Sequence, residues 1–219
     1  MHSIIPGILE KDWSIIEEKI AIVRQFSNSV HIDFIDGKFS PNITFLDPKP
    51  FSKYTKDLPA GEADLFLEAH LMVDNPLQYL EPLANAGFRR FLGHVEKMSN
   101  LEEFVARGEL LGEVGLAIDG KTSLETINIS YEDLDVILLM GIDAGFSGRQ
   151  FQPQILDKIK TIREKTFIPI EVDGGVNDKT ILEIKKAGAD RFVVTSFIFK
   201  EGDPSKNYQT LLNLNSQGV

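Results

Sequence analysis

Eight short apolar runs alternating with stretches of helical period constrain this chain more than any other feature of its sequence. Ser3–Ile8, Ser29–Phe34, Leu65–Leu71, Arg90–His94, Glu113–Ile118, Val136–Met140, Ile168–Val172 and Arg191–Val194 read as strands. Between or after them, Glu10–Gln25, Asn75–Ala86, Asn100–Arg107, Pro153–Lys165, Asn177–Ala187 and Pro204–Asn213 read as helices; the first carries Trp13, Ile16, Ile20 and Val23 on one stripe. Pro76 and Pro153 fit first helical turns, Pro82 predicts a kink or split, and Gly87 and Gly188 read as helix stops. Pro41–Gly61 reads as a long loop with an irregular or short helix, and Lys121–Tyr131 is similarly weak in pattern. Strands joined through helices pair in parallel by right-handed crossovers, and eight such units predict an α/β fold closed into a single (β/α)8 TIM barrel over residues 1–219. An open doubly wound sheet is the alternative, but Pro6-Gly7-Ile8-Leu9 is not the Gly-rich first turn that fold usually carries.

Composition narrows the function. With 23 Lys and Arg against 33 Asp and Glu, the net charge of −10 repels polyanions and argues against a nucleic-acid partner. Backbone amides can still cradle one phosphate. The chain has no cysteine, which removes thiolate ligands, disulfides and cysteine nucleophiles and leaves His, Asp and Glu to hold any metal. No cationic leader precedes a long apolar stretch, and the longest apolar run is too short to span a bilayer, so no membrane role and a cytoplasmic location are expected.

His31-Ile32-Asp33 places two polar side chains on one face at the carboxyl end of the second strand, the rim where barrel enzymes keep their active sites. His70 ends the third strand and Asp173 the seventh. Alone, each has a plainer reading, a bonded core histidine or a helix-capping aspartate. Together they would require four separately buried polar groups, so a common site for one divalent metal ion (Zn, Fe, Mn or Co) is the better account. His94-Val95-Glu96 repeats the alternation and reads as rim lining or support for the ligands. Ala144-Gly145-Phe146-Ser147-Gly148, Gly174-Gly175 and Thr195-Ser196 follow the last three strands; they are equally readable as turn glycines or as a phosphate cradle. Met72 and Met140 read as packing or as apolar lids over a substrate. Asp36-Gly37 reads as a turn, Trp13 and His2 receive no function, and His2 is expected to be disordered.

His31-Ile32-Asp33-Phe34-Ile35-Asp36-Gly37-Lys38-Phe39-Ser40-Pro41-Asn42 resembles the HxDxMDGxFxPN signature of ribulose-phosphate 3-epimerases. The resemblance continues through His70-Leu71-Met72-Val73-Asp74-Asn75-Pro76, His94-Val95-Glu96, Gly115-Leu116-Ala117, Met140, Gly145-Phe146-Ser147-Gly148, Phe151, Glu171-Val172-Asp173-Gly174-Gly175 and Ser196. It implies a metal-dependent epimerisation at C3 of a ketose phosphate, D-ribulose 5-phosphate to D-xylulose 5-phosphate, with a small-molecule sugar phosphate as partner and a homo-oligomeric assembly. It further implies metal ligands at His31, Asp33, His70 and Asp173, acid/base catalysis by Asp33 and Asp173, and phosphate binding at Gly145, Gly148, Gly174, Gly175 and Ser196. Two carboxyl groups suit that chemistry because inversion takes a proton from one face and returns one to the other. Another ketose phosphate such as a hexulose 6-phosphate, a non-catalytic metal- or sugar-phosphate-binding relative and a purely structural barrel are the competing readings. The sequence departs from the family pattern at Gly7 (usually Ser), Ile35 (a lid Met), Asp119-Gly120-Lys121-Thr122 (Asn-Pro-x-Thr), Asp143-Ala144, Arg149 (Gln) and Thr195 (Gly).

Overall fold

The computed structural model describes residues 3–56, 64–200 and 202–217; His2 and Gly61 lie outside them. Eight parallel strands form a closed barrel: β1 (Ser3–Ile8), β2 (Ser29–Ile35), β3 (Phe66–Met72), β4 (Phe88–His94), β5 (Glu113–Ile118), β6 (Val136–Met140), β7 (Ile170–Asp173) and β8 (Arg191–Val194). Each strand pairs with its neighbour in sequence, and β1 closes on β8. Around them run α1 (Trp13–Val23), α2 (Leu80–Asn85), α3 (Leu101–Glu109), α4 (Ile155–Arg163), α5 (Ile181–Ala187), α6 (Ser196–Phe199) and α7 (Pro204–Ser216). The doubly wound alternative is thereby excluded.

Where boundaries move from the sequence reading, local chemistry explains it. Pro169 has no N–H for the ladder, and β7 begins one residue after it. Asn177 and Thr180 bond neighbouring backbone groups, Lys179 N–H to Asn177 Oδ1 and Asn177 N–H to Thr180 Oγ1, so α5 starts four residues later than expected, at Ile181. The segment around Pro82 splits into a 3-10 turn at Pro76–Tyr79 followed by α2. Pro153 stands in the turn before α4 and not in its first turn. Gly87 and Gly188 stop their helices with φ of 94° and 117°.

Side chains on the outer face of the strands pack against the helices. Phe34, Phe88, Phe91, Phe104 and Phe192 are fully enclosed there, each worth roughly 1.5–3 kcal/mol of burial. Phe51, from a 3-10 turn at Lys49–Tyr54, joins them through Phe88 and holds the long segment after β2 on the barrel, with Trp13 edge-on to it at 4.9 Å. Inside the barrel Ile35, Met72, Leu92, Ala117, Val136, Leu138, Met140 and Ala144 form a smaller apolar cluster, with Ile35, Met72 and Met140 at the carboxyl ends of β2, β3 and β6. The polar residues of the inner face gather on β2, β3, β4 and β7, and their placement is set by register. His31 pairs with Gly7 and Glu68, Glu68 with Arg90, Arg90 with Glu113, and Asp33 with His70.

Candidate metal centre and sugar-phosphate cleft

On a strand, residues two apart share a face, so three i, i+2 pairs converge inside the barrel: His31/Asp33, Glu68/His70 and Glu171/Asp173. The structure brings His31, Asp33, His70 and Asp173 together, one donor atom of each lying within 4.8 Å of the others. His70 Nδ1 is 2.9 Å from Asp33 Oδ1 and 3.4 Å from Asp173 Oδ2, while His31 Nε2 is 3.4 Å from Asp33 Oδ1 and 3.9 Å from Asp173 Oδ2.

The far side of each imidazole is clamped. His31 Nδ1–H donates to Glu68 Oε1 at 2.5 Å, and Glu68 in turn is bound by the Arg90 guanidinium, which also pairs with Glu113. His70 Nε2 meets His94 Nε2 at 3.0 Å, and His94 Nδ1–H donates to Glu96, which accepts the Asp119 amide at 2.8 Å. Burial, with the neighbouring His70, holds His94 below the usual histidine range, so it is neutral and accepts from His70 Nε2–H. Both clamps therefore aim the other imidazole nitrogen at the two aspartates. Such outer partners fix the tautomer of a metal-binding histidine.

Two further observations test the fit of a cation. His31 Nε2 is fully buried and, among the described residues, has no hydrogen-bond partner. Burial opposes charge on both histidines, yet the carboxylates of Asp33, Glu171 and Glu68 raise His31 well above its ordinary pKa, and those of Asp173 and Asp33 raise His70. Burial would also raise Asp33, but the two imidazoles outweigh it and pull the carboxyl down to about 2. The cluster thus favours positive charge at its centre, and its N/O donor set is one that divalent transition metals accept. This buried group could hold a metal ion.

Glu171 was not singled out by the sequence beyond its place in the Glu171–Gly175 phrase. It is fully buried, both carboxylate oxygens lack a hydrogen-bond partner among the described residues, and His31 Nδ1 is 3.6 Å away. Burial and the Glu68 carboxylate push it up to about 7. Its folded form therefore binds a proton that the unfolded chain has released, and stability falls as pH rises from about 4.5 through 7. In metal-stripped protein, Glu171→Gln is expected to stabilise the fold by on the order of 1–3 kcal/mol at pH 8, with the difference shrinking as the pH is lowered toward 5. Chemical denaturation of both proteins across that range checks it, and a substitution that destabilises at pH 8 contradicts it.

Above the cluster lies a cleft lined by Asp33, Asp173, Met72, Met140, Gly145, Gly148, Gly174, Gly175, Thr195 and Ser196, among others. All the phosphate-cradle residues expected from the sequence thus share one cleft with both aspartates. Gly145, Gly148, Gly174 and Gly175 have φ between 73° and 100°, a region that side chains rarely adopt. A Cβ on Gly175 would sit 2.7 Å from Phe151 Cα, so the loops after β6 and β7 touch through bare backbone. Met72 and Met140, each 1% exposed, end β3 and β6 and form an apolar wall of the cleft. The loop after β2 reaches across, with Asn42 Nδ2–H donating to the Gly145 carbonyl at 3.1 Å, while Asp36 accepts the Lys38, Phe39 and Asp74 amides.

Several departures from the family pattern contact one another. Asp119 accepts the Lys121 and Ala144 amides, and Asp143 binds Lys121, Arg149 and Gln152. Ile35, at the carboxyl end of β2, is fully buried in the inner apolar cluster with Met72 and Met140.

Comparison with known proteins agrees with this geometry. The model of the Ribulose-phosphate 3 epimerase family matches residues 3–199. A ribulose-phosphate 3-epimerase of Chlamydia muridarum is 33% identical over 218 residues, covering 95% of this chain and 93% of its own. A protein of Oryza sativa subsp. japonica named ribulose-phosphate 3-epimerase, cytoplasmic isoform, is 32% identical over 212 residues, covering 93% and 90%. Among solved structures, KGPDC from Streptococcus mutans superposes with a TM-score of 0.72 at 11% identity, covering 96% of this chain and 95% of that one, a likeness of fold alone. By family match and by identity to its relatives, the chain belongs to the ribulose-phosphate 3-epimerase family.

Proposed function

We propose that this protein is an isomerase that inverts C3 of D-ribulose 5-phosphate to give D-xylulose 5-phosphate. The observation that carries the reading is the convergence of Asp33 and Asp173, from strands three steps apart around the barrel, on one cleft above two clamped imidazoles. Family membership supplies the substrate.

A hydrogen next to a ketone becomes acidic only when the negative charge left behind is stabilised. His31, Asp33, His70 and Asp173 would hold a divalent cation, which when bound supplies positive charge beside the ketose oxygens. Asp33, kept ionised by its neighbours, accepts the C3 proton on one face, and Asp173 delivers one to the other; the reverse reaction exchanges their parts. Met72 and Met140 keep water from the reacting carbon, and the amides of Gly145, Gly148, Gly174 and Gly175 with the Ser196 hydroxyl receive the phosphate. A cytoplasmic location and a homo-oligomer belong to the same reading. No helix of the described residues is long and apolar enough to cross a membrane.

The test is to incubate the metal-loaded protein with D-ribulose 5-phosphate and, separately, with a hexulose 6-phosphate, following both by carbon NMR. Conversion of the pentulose to its C3 epimer is expected. Turnover of the hexulose alone would move the substrate assignment, and turnover of neither would end it.

A further inference from the structure

Gly7 and Thr195 are two departures from the family pattern that lie in different parts of the sequence, and the fold sets them side by side. Ile5 pairs with Val193 and Pro6 with Val194, so the ladder between β1 and β8 leads directly to Gly7 and Thr195. On its other side Gly7 pairs with His31, so a side chain at position 7 would project onto the inner face beside that imidazole. The space is already taken. A Cβ on Gly7 would stand 2.9 Å from Val193 Cγ1 and closer still to the Thr195 hydroxyl, with Thr195 Cβ at 3.7 Å.

Thr195 also lines the cleft, together with Ser196, Asp173 and Val193. Val193 pairs with Asp173, which places Thr195 one inward-facing step above that carboxylate. Among the described residues no protein group bonds the Thr195 hydroxyl. A half-buried hydroxyl at the edge of a polar cleft, left without a protein partner, is suited to a ligand oxygen.

We infer that Thr195 is a substrate-positioning residue: its hydroxyl, projecting from β8 over the bare Gly7, hydrogen-bonds an oxygen of the bound sugar phosphate. The pair is a reciprocal exchange in which the hydroxyl that a serine at position 7 would offer from β1 comes instead from the adjacent strand. This inference rests on the sugar-phosphate reading above. It also makes a steric claim that needs no activity, that positions 7 and 195 share room for one side chain.

The full chain, loaded with a divalent metal, is to be made as wild type, Thr195→Val, Thr195→Gly, Gly7→Ser and the double variant Gly7→Ser/Thr195→Gly. Three readouts apply: melting temperature, kcat and KM for D-ribulose 5-phosphate, and calorimetric binding of xylitol 5-phosphate, an unreactive polyol phosphate. Gly7→Ser is expected to lower the melting temperature by several degrees when Thr195 is present and by much less in the Thr195→Gly background, the coupling expected of residues in contact. Thr195→Val keeps the shape and removes the hydroxyl; it is expected to raise both KM and the xylitol 5-phosphate Kd about tenfold, with kcat less affected and the melting temperature close to wild type. The double variant is expected to recover most of the binding lost in Thr195→Gly. The inference is overturned if Thr195→Val binds the polyol phosphate like wild type, or if Gly7→Ser is tolerated equally in both backgrounds. A wild type that binds xylitol 5-phosphate but converts no pentulose would end the catalytic reading alone, leaving the binding and stability arms to decide the role of Thr195.

Discussion

Replacing Asp173 by Asn is expected to lower turnover of D-ribulose 5-phosphate by at least about 10³-fold, and Asp33→Asn by a similar factor, with the barrel intact by circular dichroism. The expectation follows from the geometry of inversion. A single carboxyl group can work only one face of the carbon, and an amide can neither accept nor supply the proton in the required way. Both aspartates also face two imidazoles, with Asp33 3% and Asp173 8% exposed, so in the proposed site the substitutions would act on the cation as well as on the proton. Metal content must therefore be measured for each variant. An Asn variant that keeps its metal and loses turnover isolates the proton-transfer role, and full activity in either variant contradicts the two-carboxyl account.

Stripping the metal with a chelator is the second large effect expected. Turnover should fall below about 1% of the loaded enzyme and return when a divalent cation is added back. The apo protein should melt several degrees lower, since a ligand that binds only the folded state stabilises it. His70→Ala is expected to behave as permanently stripped. It removes a proposed ligand and leaves His94 Nε2 without its partner, so added metal should restore little. Metal occupancy should also fall on acidification, because protons compete for two histidines whose pKa values are raised by the surrounding carboxylates. Metal analysis with activity at each step checks both expectations. Unchanged turnover in protein shown to be metal-free would remove the cation from the account.

The strands were legible as short apolar runs between helical stretches, and the four converging residues as polar side chains at the carboxyl ends of those runs. A side chain two positions before an inward-facing one also faces inward, and His31/Asp33 is read directly in that way. The same rule applied to Glu68 before His70 and Glu171 before Asp173 would have flagged both buried carboxylates. What sequence could not supply is register. That Glu68 meets His31 and Arg90 follows from how β3 sits against β2 and β4. Likewise, nothing local joins Gly7 to Thr195; barrel closure does. The short α6 escaped because four residues are too few for a helical period to show. The loop after β2 was weak in pattern because it is held by distant partners, Asn42 on Gly145 and Phe39 tilted against the His94 ring with centroids 4.5 Å apart.

The most direct test runs the metal-loaded enzyme on D-ribulose 5-phosphate in deuterated water and reads C3 of the product during the first turnovers. If two carboxyl groups flank the carbon, one removing and the other returning a proton, the first D-xylulose 5-phosphate formed should already carry deuterium at C3. Product that retains the substrate's own hydrogen there would mean one group carries the proton across, and the arrangement of Asp33 and Asp173 proposed for this cleft would be wrong.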